Sequence, residues 1–150
     1  VCLASPLRDV YKRQFKMGVS GCPRSCVESG VKDFGIISVE NGFQIYIGGN
    51  GGTEVEKAEF LTTVETEDEV IKLCGALMQY YRETGIYAER TAPWLRRLGF
   101  ENVKEVLLDP ERQNELFERI MDAKKAVEAE PWEAITSNAQ ARKIFEVEKV

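Results

Sequence analysis

The pattern of apolar and polar positions changes character once along the chain, near Glu65. Between Phe15 and Val64 the apolar residues come in short runs broken by glycine, and nine of the twelve glycines lie between Gly18 and Gly52. That pattern predicts strands joined by tight turns, with the backbone bending sharply or lying close to something else. Residues 16–19 predict a short strand entering a cysteine loop. Residues 34–39 and 43–47 flank Glu40-Asn41-Gly42, and an Asn-Gly pair between two β-rich runs predicts a hairpin. Residues 60–64 predict one further strand.

Beyond Glu65 the period becomes helical. Thr66 with Glu69 three residues on has the form of a capping box. Val70, Leu73, Cys74, Leu77 and Tyr81 then share one face of a helix of about five turns, which Gly85 ends. Further helices are expected over 92–98 and 102–107, and a fourth from Asp109 as N-cap with Pro110 in its first turn. Leu116, Phe117, Ile120, Met121 and Val127 form the apolar stripe of that helix, and its charged residues form a solvated face. After Pro131-Trp132 the sequence becomes polar, with 136–150 read as a tail. Residues 1–14 carry neither period and resemble a translated adapter or cloning scar, so they are set apart from the fold. The expected fold class is α+β, a small and mostly antiparallel sheet covered by the helices that follow it.

With 150 residues, 43% of them hydrophobic, the chain is long enough for one compact domain. Its net charge of −5 argues against a basic face for nucleic acid. No apolar stretch approaches the roughly 20 residues that cross a bilayer, and no secretory leader is legible at the N-terminus. The expectation is a cytoplasmic protein with neither a nucleic-acid nor a membrane partner. The chain has no histidine, which removes His-based triads, general bases and metal ligands together. Its four cysteines, Cys2, Cys22, Cys26 and Cys74, are too unevenly spread for a secreted disulfide framework. Metal or redox use of a subset is the better reading.

Cys22 and Cys26 stand four residues apart, close enough for both thiolates to reach one small inorganic body. Gly21 and Pro23 favour a tight entry followed by a helix start, whose free N–H groups would stabilise thiolate charge. On spacing alone, metal or cluster binding stands beside a buried pair or a disulfide. Cys74 falls on the apolar stripe of its helix and reads as a core residue.

The surrounding residues extend the picture. Lys16-Met17-Gly18-Val19-Ser20-Gly21-Cys22-Pro23-Arg24-Ser25-Cys26 resembles the second cysteine motif of the sirohaem nitrite and sulfite reductases. The resemblance continues through residues 28–37, through Ile45-Tyr46-Ile47-Gly48-Gly49-Asn50-Gly51-Gly52 and through Arg90-Thr91-Ala92-Pro93-Trp94-Leu95. It covers about residues 15–135, and its last run points to the large subunits of the NAD(P)H-dependent nitrite reductases. The implied fold is the C-terminal part of a sirohaem-binding domain. The implied activity is six-electron reduction of nitrite to ammonia, with sulfite reduction as the alternative within the family.

What the resemblance implies of the site is a 4Fe-4S cluster held by four cysteines, two from an upstream motif and two from the motif present here. Cys22 would be a pure cluster ligand, and Cys26 would also bridge to the sirohaem iron. Lys16 matches the second lysine of a pair whose first position is Gln14 here, and it is a candidate contact for substrate or cofactor carboxylates. Arg24, inside the cysteine loop, is the other candidate catalytic cation. Gly48, Gly49, Asn50 and Gly51 would lie against the macrocycle and donate N–H groups to its carboxylates. From the residues alone that run fits neither a Walker loop nor a dinucleotide fingerprint, and a flexible turn is the plain alternative. Arg90 precedes a helix that Trp94, Leu95 and Leu98 anchor on the core, so packing explains that run. The upstream cysteines are absent from this sequence, as are the flavin (FAD) and NAD(P)H domains of the family's large subunit, so the chain reads as a fragment. Nitrite is the implied substrate, and the reductase's small subunit is a candidate partner. A third reading, from another class, is a non-catalytic module in which Cys22 and Cys26 form a zinc half-site or a disulfide.

Overall fold

The computed structural model of the chain describes residues 15–128 and residue 138. The adapter-like residues 1–14 and, apart from Asn138, the polar tail lie outside the described residues. Four strands form the main sheet in the order β1, β2, β3, β6, where β1 is Met17–Ser20, β2 Phe34–Val39, β3 Gly42–Ile47 and β6 Glu59–Val64. The β1/β2 pair is parallel and the other two are antiparallel, so the sheet is mixed with an antiparallel majority. A two-stranded ribbon, β4 (Asn50–Gly51) and β5 (Val55–Glu56), projects between β3 and β6. The helices follow as α1 (Glu67–Thr84), α2 (Thr91–Leu98), α3 (Phe100–Leu108) and α4 (Pro110–Glu128). No helix among the described residues is long and apolar enough to cross a membrane.

Local signals explain most of these boundaries. The hairpin turn is Glu40-Asn41, with Gly42 opening β3 at φ 127°, a value that strains any residue bearing a Cβ. Thr66 and Glu69 close the capping box reciprocally at the start of α1, and the thiol-bearing face of that helix is buried. The side chain of Asp109 accepts the N–H groups of Glu111 and Arg112, capping α4.

The helices cover one face of the sheet. Phe34, Ile36, Ile45, Ile47 and Leu61 from the strands meet Val70, Leu73, Cys74, Leu77, Trp94, Leu95, Val103, Leu107 and Leu116 from the helices in one core. Trp94 is its largest member, edge-on to Tyr80 and Tyr81 and donating its ring N–H to the Thr84 hydroxyl at 2.9 Å. Phe117 and Ile120 pack α4 onto α1 at Gly75. The side chain of Val127, expected on the same stripe, is not among those described.

The opposite face of the sheet carries the loop between β1 and β2. Gly18 and Gly35 are buried beneath a 3-10 turn (Ser29–Val31), whose Ser29 hydroxyl reaches the Ser20 hydroxyl at 2.8 Å and the Gly18 carbonyl at 3.1 Å. This face holds the cysteine loop.

Candidate functional site

The crossover from β1 to its parallel neighbour β2 must leave the sheet and return to it, and residues 21–28 make that excursion as a chain of turns. Ser25 donates its N–H to the Cys22 carbonyl at 3.1 Å and Glu28 to that of Ser25 at 2.9 Å, with Ser25 and Glu28 both at positive φ. The helix start expected after Pro23 is therefore replaced by successive turns. The first helical geometry after the pair is the 3-10 turn at Ser29, because the left-handed residues break the winding. Cys22, Pro23, Arg24 and Cys26 are all exposed, and both thiols are free. Arg24 forms no hydrogen bond or ion pair with a described residue, and it stands at the surface of the loop.

Beside the loop lie two hollows. One, of about 450 Å³, is bounded by Ser25, Glu28 and Gly30 on the cysteine side and by Val31, Gly51 and Val55 on the other. The second, of about 390 Å³, shares Val31 and Gly51 with it and carries Lys16, Lys32, Asp33 and Arg90 on its wall, with Asn50, Gly52 and Thr53. The structure thus brings Lys16, Asn50 and Gly51 to one hollow, beside the one the cysteine loop borders.

Gly48 and Gly49 do a different job. Both are buried, and their N–H groups donate to the carbonyls of Asp33 at 3.0 Å and Lys32 at 2.9 Å. The amide donation expected of these two glycines has no free donor here, because the amides join β3 to the segment before β2. A Cβ on Gly49 would stand 2.7 to 2.8 Å from backbone atoms of Val31 and Lys32, so glycine is required by packing. Asn50 closes its own ribbon, donating to the Glu54 carbonyl at 2.8 Å and accepting from the Gly52 N–H at 3.3 Å.

Arg90, which sequence reasoning assigned to packing, belongs to the site. Its guanidinium donates to both carboxylate oxygens of Asp33, at 2.9 and 3.2 Å, and the Lys16 main-chain N–H donates to the same carboxylate at 2.7 Å. The Thr91 hydroxyl completes the set. No motif announces a pair 57 residues apart. A usable signal was Lys32-Asp33, a charge pair directly before the apolar run of β2. Lys32 faces Glu28 at 3.7 Å.

Cys74 is buried and lies 3.9 Å from the Met17 sulfur, and burial pushes its thiol up to about 11. It is a core residue. Among the described residues no group of three or more metal-ligating side chains converges. The donor set on this chain thus fits half of a four-thiolate cluster site, two exposed sulfurs on one loop, and a basic hollow beside it fits a carboxylate-bearing group.

Comparisons with known proteins place the sequence among relatives. The family model of the nitrite and sulphite reductase 4Fe-4S domain matches residues 10–115. The NAD(P)H nitrite reductase of Bacillus subtilis is 46% identical over 132 residues, 87% of this chain and 16% of that protein. The nitrite reductase (NADH) large subunit of Escherichia coli is 37% identical over 152 residues, 95% of this chain and 18% of that protein. An assimilatory-type sulfite reductase of Nitratidesulfovibrio vulgaris is 28% identical over 98 residues, 65% of this chain and 45% of that one. The chain spans less than a fifth of the nitrite reductases it matches. It belongs to the nitrite and sulphite reductase 4Fe-4S domain family.

Proposed function

We propose that this chain forms one wall of the sirohaem and 4Fe-4S centre of a nitrite reductase large subunit, which reduces nitrite to ammonia. The observation that carries the reading is the adjacency of the exposed Cys22/Cys26 loop to a hollow walled by Lys16, Lys32 and Arg90. When bound, the two prosthetic groups supply an electron store joined to the iron that holds the anion. Cys22 would supply a thiolate to the cluster, and Cys26 one that serves cluster and sirohaem together. Lys16, Lys32 and Arg90 hold carboxylates or substrate by charge and hydrogen bonds, and Arg24 adds a cation at the mouth of the loop. Val31 and Gly51 form the wall the two hollows share, and Asn50 lines the one that carries the basic residues. The other two cluster cysteines, the flavin and the nicotinamide site belong to the parent polypeptide.

The test uses the parent large subunit that carries this segment, purified without oxygen and supplied with nitrite and reductant. The expected result is a Soret band with red-shifted haem absorption and ammonia formed in step with nitrite lost. A colourless protein that leaves nitrite untouched contradicts the reading. Sulfite reduction is the second reading, favoured by the match to the assimilatory-type sulfite reductase. Turnover of sulfite in preference to nitrite in the same assay would select it.

A further inference from the structure

Among the described residues Asp33 is the one charged side chain buried in the core region, 1% exposed. A buried carboxylate is costly unless every oxygen is paired. Here the partners come from two distant parts of the chain. Arg90 spans both oxygens, Thr91 donates its hydroxyl to one, and the Lys16 main-chain N–H donates to the other. Lys16 stands just before β1 and Arg90 just before α2, while Lys32 is the neighbour of Asp33 in sequence. Three basic residues from three separate segments therefore line one hollow of about 390 Å³, and a single carboxylate ties two of those segments together. A hollow of that size is larger than one triatomic anion requires, and its three basic residues, one paired to Asp33 and one facing Glu28, are spread around it.

We propose that Asp33 is a positioning residue, which fixes the Arg90 guanidinium and the backbone of Lys16 so that, with Lys32, they receive a ligand carrying several carboxylates. The Arg90 guanidinium is held by one nitrogen, Nη2, which donates to both oxygens of Asp33, and the start of β1 is anchored at the same point. The identity of the ligand in the parent enzyme rests on the functional reading above. The positioning itself is tested without it.

The test measures citrate binding to this 150-residue chain by calorimetry at low ionic strength. Asp33→Asn separates two explanations by sign. If Asp33 only offsets the positive charge of the hollow, removing its charge tightens citrate binding. If it positions the cations, the same change weakens citrate binding about tenfold. Arg90→Lys keeps the charge, loses the planar fork, and is expected to weaken binding by a similar factor. Arg112→Gln, on the exposed face of α4, is expected to bind as the unaltered chain does. Near-ultraviolet circular dichroism establishes that each variant is folded, and Arg90→Lys decides the question if Asp33→Asn does not fold. The proposal is overturned by a folded Asp33→Asn chain that binds citrate equally or more tightly. It is equally overturned by an Arg90→Lys chain with unaltered affinity, or by an unaltered chain with no saturable citrate binding. A colourless parent enzyme would instead overturn the functional reading and leave the citrate result standing.

Discussion

Adding a single methyl group at Gly35 tests how the cysteine loop is held to the sheet. Gly35 lies buried in β2, on the face beneath the Ser29–Val31 turn. A Cβ there would overlap the Ser29 carbonyl oxygen and stand 2.8 Å from its carbon and 3.3 Å from its Cα, where ordinary contact begins at 3.4 Å. Every one of these atoms is backbone, so no rotamer change gives relief, and Ser29 has to retreat. Its hydroxyl is bonded to Ser20 and to the Gly18 carbonyl, and both bonds stretch as it moves. Two weakened hydrogen bonds cost about 1 kcal/mol each. Overpacking adds about 1–3 kcal/mol, and the lower chain entropy of alanine returns about 0.5–1 kcal/mol. Gly35→Ala is therefore expected to lose about 2–4 kcal/mol of stability, measured by urea unfolding followed through tryptophan fluorescence. Gly30→Ala is the matched control, since a Cβ at Gly30 meets nothing within 4 Å, and it should keep the entropy gain of about 0.5–1 kcal/mol and lose no stability. Equal unfolding midpoints for Gly35→Ala and the unaltered chain would refute the reasoning, as would equal losses for the two variants.

Three further outcomes follow from the thiols. In the reduced chain at pH 8, iodoacetamide should label the exposed Cys22 and Cys26 and spare Cys74, whose thiol is held up at about 11, as peptide mass spectrometry would show. Equal labelling of all three contradicts the burial of Cys74. An unfolded thiol titrates near 9.0, so the Cys74 contribution to stability is complete below pH 9 and is lost as pH rises toward 11. The loss amounts to at most about 2–3 kcal/mol, and Cys74→Ala should flatten the fall in unfolding midpoint over that window. An unchanged slope in that variant counts against the burial effect. Finally, anaerobic reconstitution of this chain with iron and sulfide should give no stable cluster spectrum, because Cys22 and Cys26 make half of a four-thiolate set. Four irons per chain with such a spectrum would defeat that expectation.

Local chemistry was legible in the sequence and distant pairing was not. The capping box at Thr66 and Glu69, the Asp109 cap and the Phe34 to Ile47 hairpin depend on neighbours within a few residues, and each forms as its pattern predicts. The cysteine motif was equally legible, since its resemblance rests on contiguous residues. The helix start after Pro23 failed because Ser25 and Glu28 adopt left-handed backbone, a choice set by the return of the crossover to β2. Gly48 and Gly49 were read as donors to a ligand, yet their amides are taken by carbonyls that only the folded chain brings near. The pairing of Arg90 is not legible locally because Asp33, its partner, lies 57 residues away, and Lys32-Asp33 marks a charge before β2 without saying what it meets.

The most direct test of the account replaces Cys26 in the parent large subunit, purified without oxygen, and measures iron content and the haem spectrum together. Cys26→Ser, like Cys22→Ser, is expected to lose cluster iron, nitrite reduction and with the cluster the spectral signature of a sirohaem coupled to it. Cys74→Ala should keep all of these, since Cys74 lies in the core away from the loop. A Cys26→Ser enzyme with its full iron complement, an unaltered Soret band and undiminished nitrite reduction would contradict the central claim.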